Sequence, residues 1–180
     1  IKIDVKGIHH NNLNITMLKN SLQKILFYLF IVVLIFFLDR FSKIYILNLA
    51  ELNNSVDIYL SSFLNLYLIW NKGIAFGLLS FEQNLIYNLI TLLISVINIV
   101  IIFLIIKTKD IRVYFLIFIL GGSLGNLFDR VYYTSVPDFI DFHIGNFHWF
   151  IFNVADIFIT LGIVCLILAE IFLNKKDKNE

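Results

Sequence analysis

The chain has 180 residues, one domain's worth, but it is 59% hydrophobic and only 15% charged, whereas soluble domains are about a quarter charged. Its formal net charge of +1 gives no basis for a nucleic-acid partner. The single cysteine, Cys165, cannot form an internal disulfide, and within its apolar run it reads as a small buried hydrophobe.

Residues 1–20 are polar and show no strong period. Met17 is the only methionine and directly precedes the first hydrophobic run. Residues 1–16 are therefore expected to be an upstream extension or mobile tail, in which His9 and His10 carry no function. The expected organisation is a tail over 1–20, one membrane domain over 21–174 and a charged cytoplasmic tail over 175–180.

Ile25–Leu38 is uninterrupted apolar sequence, and the hydrophobic character resumes in Ile44–Leu49. No small-residue cleavage site follows, so this is a first membrane helix rather than a secretory leader. It supplies the about 20 residues that a span needs. Asp39 and Lys43 are four apart and share a helical face, where they can pair.

Residues 50–83 are mostly polar, and the short pieces Ile58–Leu60 and Phe63–Trp70 read as strands or an interfacial hairpin, with Trp70 at headgroup depth. Asn71-Lys72-Gly73 is a turn signal, and Ile74–Gly77 brings small residues where backbones can approach closely. Leu85–Ile106 is the second span, with Asn88, Thr91, Ser95 and Asn98 along one face for interhelical hydrogen bonding. Val113–Leu127 and Ala155–Leu173 are the third and fourth spans. A polar, aromatic-rich loop carrying Asp138 and Asp141 joins them.

Lys19 and Lys24, then Lys107, Lys109 and Arg112, then Lys175, Lys176 and Lys178 fall on one side of a four-helix count. The positive-inside rule makes that side, with both termini, cytoplasmic, so the aspartate-bearing segments face outward.

Ionisable groups at the mouths of membrane helices are expensive unless paired or facing water, and so mark a site. Two converging carboxylates share a proton because both cannot ionise easily. Asp138 and Asp156 as such a pair could deprotonate a water while hydrogen-bonding the carbonyl that it attacks, which is peptide hydrolysis by general acid–base catalysis. The bland alternative is that each caps a helix or pairs with Arg130. Asp141, three residues after Asp138, competes for the role. Asn126, Asp129 and Arg130 share a face at the end of the third span. Asn153, three before Asp156, is a candidate N-cap or a partner of a catalytic carboxylate.

Two other patterns mislead. Gly121–Gly125 matches G-x-S-x-G but lies inside an apolar helix, where the glycines serve close helix packing. His143 and His148 lack H-E-x-x-H or similar spacing. Neither metal nor cofactor is expected.

In chain order the motifs are Asp39-Arg-x-Ser-Lys43, Asn71-x-Gly-x-Ala-Phe76, Gly125-Asn-x-x-Asp-Arg130, Asp138-Phe139 and Phe152-Asn-x-Ala-Asp156. This series resembles the bacterial lipoprotein signal peptidase (signal peptidase II) family over about Leu38 to Thr160. The resemblance implies an all-α membrane protein of four transmembrane helices with a small extracytoplasmic β/loop element. It implies an aspartyl endopeptidase of the bacterial inner membrane that cuts prolipoproteins just before a diacylglyceryl-bearing cysteine. Its partners would be prolipoprotein substrates and membrane lipid, and a monomer is expected. Carried over by position, Asp138 and Asp156 match the catalytic dyad, and Asn126, Arg130 and Asn153 match the polar residues around it. Asp129 belongs to the same polar shell, while Asp39, Lys43, Asn71 and Gly73 match positions that support structure or line the substrate path. Pro137 departs from the family pattern without removing a reactive group. A transporter or channel component, or a non-catalytic scaffold, would be the competing reading; the first predicts ionisable groups deep in several spans.

Overall fold

The computed structural model describes residues 5–73, 83–145 and 147–177, and Ile74–Gly77, where close backbone approach was expected, lies outside them. Four helices, α1 (Val5–Asn53), α2 (Gln83–Lys107), α3 (Arg112–Tyr133) and α4 (Val154–Asp177), carry the four membrane-length apolar stretches. Four strands complete the fold: β1 (Asp57–Ser61), β2 (Leu64–Asn71), β3 (Val136–Ile144) and β4 (Phe147–Phe152).

Helix α1 starts well upstream of the expected first span, since its first turns run through the polar residues from Val5. Without proline in this stretch nothing interrupts the backbone ladder. It ends where Asn54 adopts a left-handed conformation, φ 60°, a common helix terminator. Helix α3 likewise ends on left-handed Thr134, φ 56°, two turns beyond Leu127, so Asn126, Asp129 and Arg130 are inside the helix.

Helix α3 is the central element. Within its apolar window 44% of residues are buried by protein, against 11% for each of the other three spans. Those three expose large apolar side chains such as Phe30, Leu92 and Ile167, as helices in contact with lipid tails do. Close approach comes from small residues. A Cβ on Gly121 would collide with Ile35 of α1, and one on Gly122 with the Ala155 carbonyl and Ile159 of α4. The glycine run is thus a packing surface, as its sequence suggested. An apolar cluster of Val32, Ile101, Val113, Leu116, Ile117 and Leu120 joins α1, α2 and α3.

Among the described residues, the expected interhelical hydrogen bonds along α2 do not form. Thr91 donates to the Tyr87 carbonyl at 2.9 Å and Ser95 to the Thr91 carbonyl at 2.8 Å, both within α2. A hydroxyl in an apolar helix reaches the carbonyl one turn back without any neighbour. Asn88 is exposed, and Asn98 is buried with neither amide atom paired.

The sheet is antiparallel in the order β1-β2-β3-β4. The hairpin β1–β2 is where the sequence placed it, but β3 and β4 replace the expected loop. Val56, Phe139 and Ile46 of α1 form the small core beneath. Trp70, half exposed, packs on Tyr133 at 5.5 Å between ring centroids. All four strands join helices at one end of the bundle, opposite the α2–α3 connection.

Candidate active site

At that end the sheet and three helices bring charged and amide side chains together in two layers. The deeper layer is a buried ionic cluster. Lys43, wholly buried on α1, donates to Asp39 at 2.8 Å, Asp129 at 2.6 Å and the Asn126 amide oxygen at 2.9 Å. Arg40, also buried, bridges Asp129 at 2.5 Å and Asp39 at 3.2 Å, with its guanidinium over the Phe128 ring. Two carboxylates and two cations leave the cluster neutral, the condition under which charges survive burial. Arg40 is not among the site residues expected from the sequence, because its bridge to Asp129 joins two helices.

Above this lies a cavity of 190 Å³ lined by Asn71, Ser123, Asn126, Arg130, Asp138, Asn153 and Asp156, with Ile94, Val136 and Ile159. Each aspartate there accepts two N–H bonds. For Asp138 the donors are Asn71 Nδ2 at 2.9 Å and Asn153 Nδ2 at 2.6 Å. For Asp156 they are Asn126 Nδ2 at 2.8 Å and the Asn153 backbone N–H at 3.1 Å.

Asn153 has both roles the sequence allowed. Its Oδ1 accepts the Asp156 N–H at 3.1 Å while Asp156 accepts its own N–H, a reciprocal capping box at the start of α4. Asp39 Oδ1 takes the Ala155 N–H at 3.0 Å, tying the same helix end to the ionic cluster. Asp138 is only 1% exposed. Burial, reinforced by the Asp156 charge, pushes its carboxyl up to about 6, against the opposing pull of the asparagine hydrogen bonds. Its hydrogen bonds go to asparagines rather than to Arg130, whose guanidinium sits 5.3 Å from the Tyr87 ring centroid. Tyr87, unnoticed in the sequence, donates its hydroxyl to the Arg130 carbonyl at 2.8 Å. Gly73, at φ +72°, lies against the same guanidinium, with no room for a Cβ. Asn71 Oδ1 accepts the Gly73 N–H at 2.7 Å, an Asx turn that orients the amide toward Asp138.

Asp141 is elsewhere. Three positions along a strand reverse the side chain's face, and Asp141 pairs with His148 Nδ1 at 2.8 Å, away from the cavity. Asp39, Arg40 and Lys43 of α1, Asp129 and Arg130 of α3 and Asp156 of α4 gather at the sheet end of the bundle, while Arg112 pairs with Glu170 at the other end, which does not match a charged path through several spans.

The profile of a family described as Signal peptidase (SPase) II matches residues 31–172. The chain belongs to that family. The lipoprotein signal peptidase of Pelagibacter ubique is 56% identical over 162 residues, covering 90% of this chain and 98% of that protein. Its counterpart in Francisella tularensis subsp. novicida is 44% identical over 165 residues, 88% of this chain and 99% of the other. A bacterial membrane enzyme solved by the in meso method at 2.3 Å superposes with a TM-score of 0.60 at 27% identity, over 85% of this chain and 90% of that one. The signal peptidase II chain is therefore a multi-pass bacterial membrane protease of the aspartic class, and its two-layered polar end is where that chemistry has to be sought.

Proposed function

We propose that Asp138 and Asp156 are the catalytic dyad, and that the enzyme cleaves prolipoproteins immediately before a diacylglyceryl-bearing cysteine. One observation carries this reading: the two carboxylates line one small cavity, each fixed by two N–H donors. Asp138, the more buried, holds the shared proton and offers it to the scissile carbonyl oxygen. Asp156, in the first turn of α4, sits where the helix dipole favours a carboxylate and takes the proton of the attacking water. Asp156 then passes that proton to the leaving amine as the tetrahedral intermediate collapses, and a hydroxyl of the intermediate returns its proton to Asp138, restoring the dyad. Asn71, Asn126 and Asn153 position the carboxylates, and the ionic cluster of Asp39, Lys43 and Asp129 anchors Asn126. Arg130 has a buried Nη1 with no partner among the described residues, placed to donate to a substrate carbonyl once substrate enters the cavity, and Gly73 leaves its guanidinium room.

The basic loops put both termini in the cytoplasm and the sheet on the outer face, where a substrate anchored by its lipid enters sideways. Half-exposed Trp70 and Phe63 of the hairpin region supply the apolar surface for it. The dyad and every donor to it come from a single chain, and a monomer is the proposed working unit.

The test is cleavage of a diacylglyceryl-modified prolipoprotein in liposomes by wild type, Asp138→Asn and Asp156→Asn. Cleavage before the modified cysteine by wild type alone supports the reading. Activity in Asp138→Asn together with its loss in Asp141→Asn would move the dyad, and a wild type that never cuts would overturn the substrate.

A further inference from the structure

The opposite face of β3 carries a second constellation. Asp141 and His143 are two apart on β3 and so share a face. His148 is the cross-strand partner of His143 on β4, and Asn65 that of Asp141 on β2. Four potential ligands from three strands thus converge beside a cavity of 390 Å³ lined by Asp57, Asn65, Tyr67, Asp141, His148 and Ile151.

The hydrogen bonding there is incomplete. His148 Nδ1 meets the Asp141 carboxylate at 2.8 and 3.0 Å. His143 is 7% exposed, and its Nδ1 faces Asp141 Oδ2 from 3.7 Å, too far for a hydrogen bond. Among the described residues, neither His143 Nδ1 nor Asn65 Oδ1, both buried, has a hydrogen-bond partner. A native interior rarely leaves two neighbouring polar atoms in this state.

We infer that Asp141, His143 and His148 bind a divalent transition-metal ion of the zinc class, with Asn65 Oδ1 beside the fourth position. The ligand atoms of the three residues lie within 4.8 Å of one another. In a tetrahedral zinc site with bonds of about 2.0–2.1 Å, neighbouring ligand atoms are about 3.3 Å apart, between the 2.8 and 3.7 Å separations already present. Two imidazoles with one carboxylate select zinc-like ions over magnesium or calcium, which take oxygen ligands. The ion would satisfy His143 Nδ1 and replace a bare carboxylate–imidazole contact with three bonds spanning β3 and β4. Its role is structural, because Asp138 lies on the other face of β3. It would pin the β3–β4 hairpin and so steady the strand that presents Asp138. The expectation from sequence of no metal rested on helical ligand spacing; here the ligands are set by strand register across a turn, in the pattern D-x-H-x4-H.

The inference does not depend on the peptidase reading. The test uses full-length protein in detergent, without a polyhistidine tag, stripped with chelator and carrying His9→Ala and His10→Ala to remove that competing pair. Zn²⁺ is titrated by calorimetry, and Co²⁺ by its visible absorption. One equivalent should bind, Co²⁺ should give a tetrahedral spectrum, and Zn²⁺ should raise the unfolding temperature. His148→Ala, at a 55% exposed side chain that the fold does not need, and His143→Gln should each weaken binding more than about tenfold, since even an outer-shell change costs 10–100-fold. Absence of saturable binding at one equivalent would overturn the inference. Undiminished binding in a folded His148→Ala protein would do the same.

Discussion

Replacing Asp138 by asparagine separates the chemistry of the dyad from the energetics of burying it. Burial raises this carboxyl from 3.8 to about 6. Between those values the folded protein binds more protons than the unfolded chain. The stability contributed by this group is therefore full below about pH 3.8 and declines as pH rises through about 6. The displacement corresponds to a penalty of about 1 kcal/mol near pH 4.5 and about 3 kcal/mol near pH 7.5. Asparagine removes the penalty, but its NH₂ must face one of the two donors, Asn71 Nδ2 or Asn153 Nδ2, that now serve the carboxylate. That mismatch costs about 1–3 kcal/mol at any pH. The variant should thus be less stable than wild type in acid and gain about 2 kcal/mol on it between about pH 4.5 and 7.5. Thermal or denaturant unfolding in detergent across this range reads the swing, and cleavage by the same preparations should fall by at least about a hundredfold. A stability difference that is flat with pH would refute the claim that burial governs Asp138. Retained cleavage would refute its place in the dyad.

Substitutions at three other positions probe the surrounding frame. Lys43→Met leaves Asp39 and Asp129 without their shared ammonium in a buried layer, and should destabilise by about 3–5 kcal/mol, read by denaturant unfolding. Gly122→Ala forces a methyl against the Ala155 carbonyl and should cost about 1–3 kcal/mol by overpacking, with a lower unfolding temperature as the measure. Asn153→Ala removes a cap worth about 0.5–2 kcal/mol together with a donor to Asp138. Its cleavage rate should therefore fall more than its stability loss explains, and Asn153→Ser, which can still cap, should recover stability but not rate.

The helices were legible because apolar runs of span length have few alternatives, and the Asp39–Lys43 pair because four residues is one helical turn. Strands β3 and β4 were not legible, and burial shows why. On β3 the polar Asp141 and His143 are buried, while Phe142 is 39% and Ile144 66% exposed. This inverts the apolar-inside alternation that identifies a half-buried strand: Asp141 and His143 are buried on the face of Phe139, and the face of Asp138 ends in exposed Phe142 and Ile144. Asp138 enters the proposed dyad through its motif, but its separation from Asp141 needed strand geometry, since a loop has no alternation to divide them. Arg40 and Tyr87 were missed for another reason. Both act through contacts between elements, Arg40 with Asp129 and Tyr87 with the Arg130 carbonyl, which no spacing along the chain encodes.

The two polar layers are joined chiefly through Asn126. Its Oδ1 accepts from Lys43 and its Nδ2 donates to Asp156, so the ammonium below dictates which end of the amide faces the carboxylate above. An aspartate there would repel Asp156, and an apolar residue would leave both partners short of a hydrogen bond in a buried setting. Asp39 performs the same service through the backbone by holding the Ala155 N–H one residue before Asp156. Lys43, Asp39 and Asn126 thus fix the position of Asp156 from α1 and α3, the helices on which it does not lie. Asn71 and Asn153 fix Asp138 from β2 and the start of α4. The two carboxylates share Asn153, whose Nδ2 donates to Asp138 while its backbone N–H donates to Asp156. Each also has a donor of its own, Asn71 Nδ2 for Asp138 and Asn126 Nδ2 for Asp156, so the proposed dyad is held by the frame on both sides of the shared asparagine.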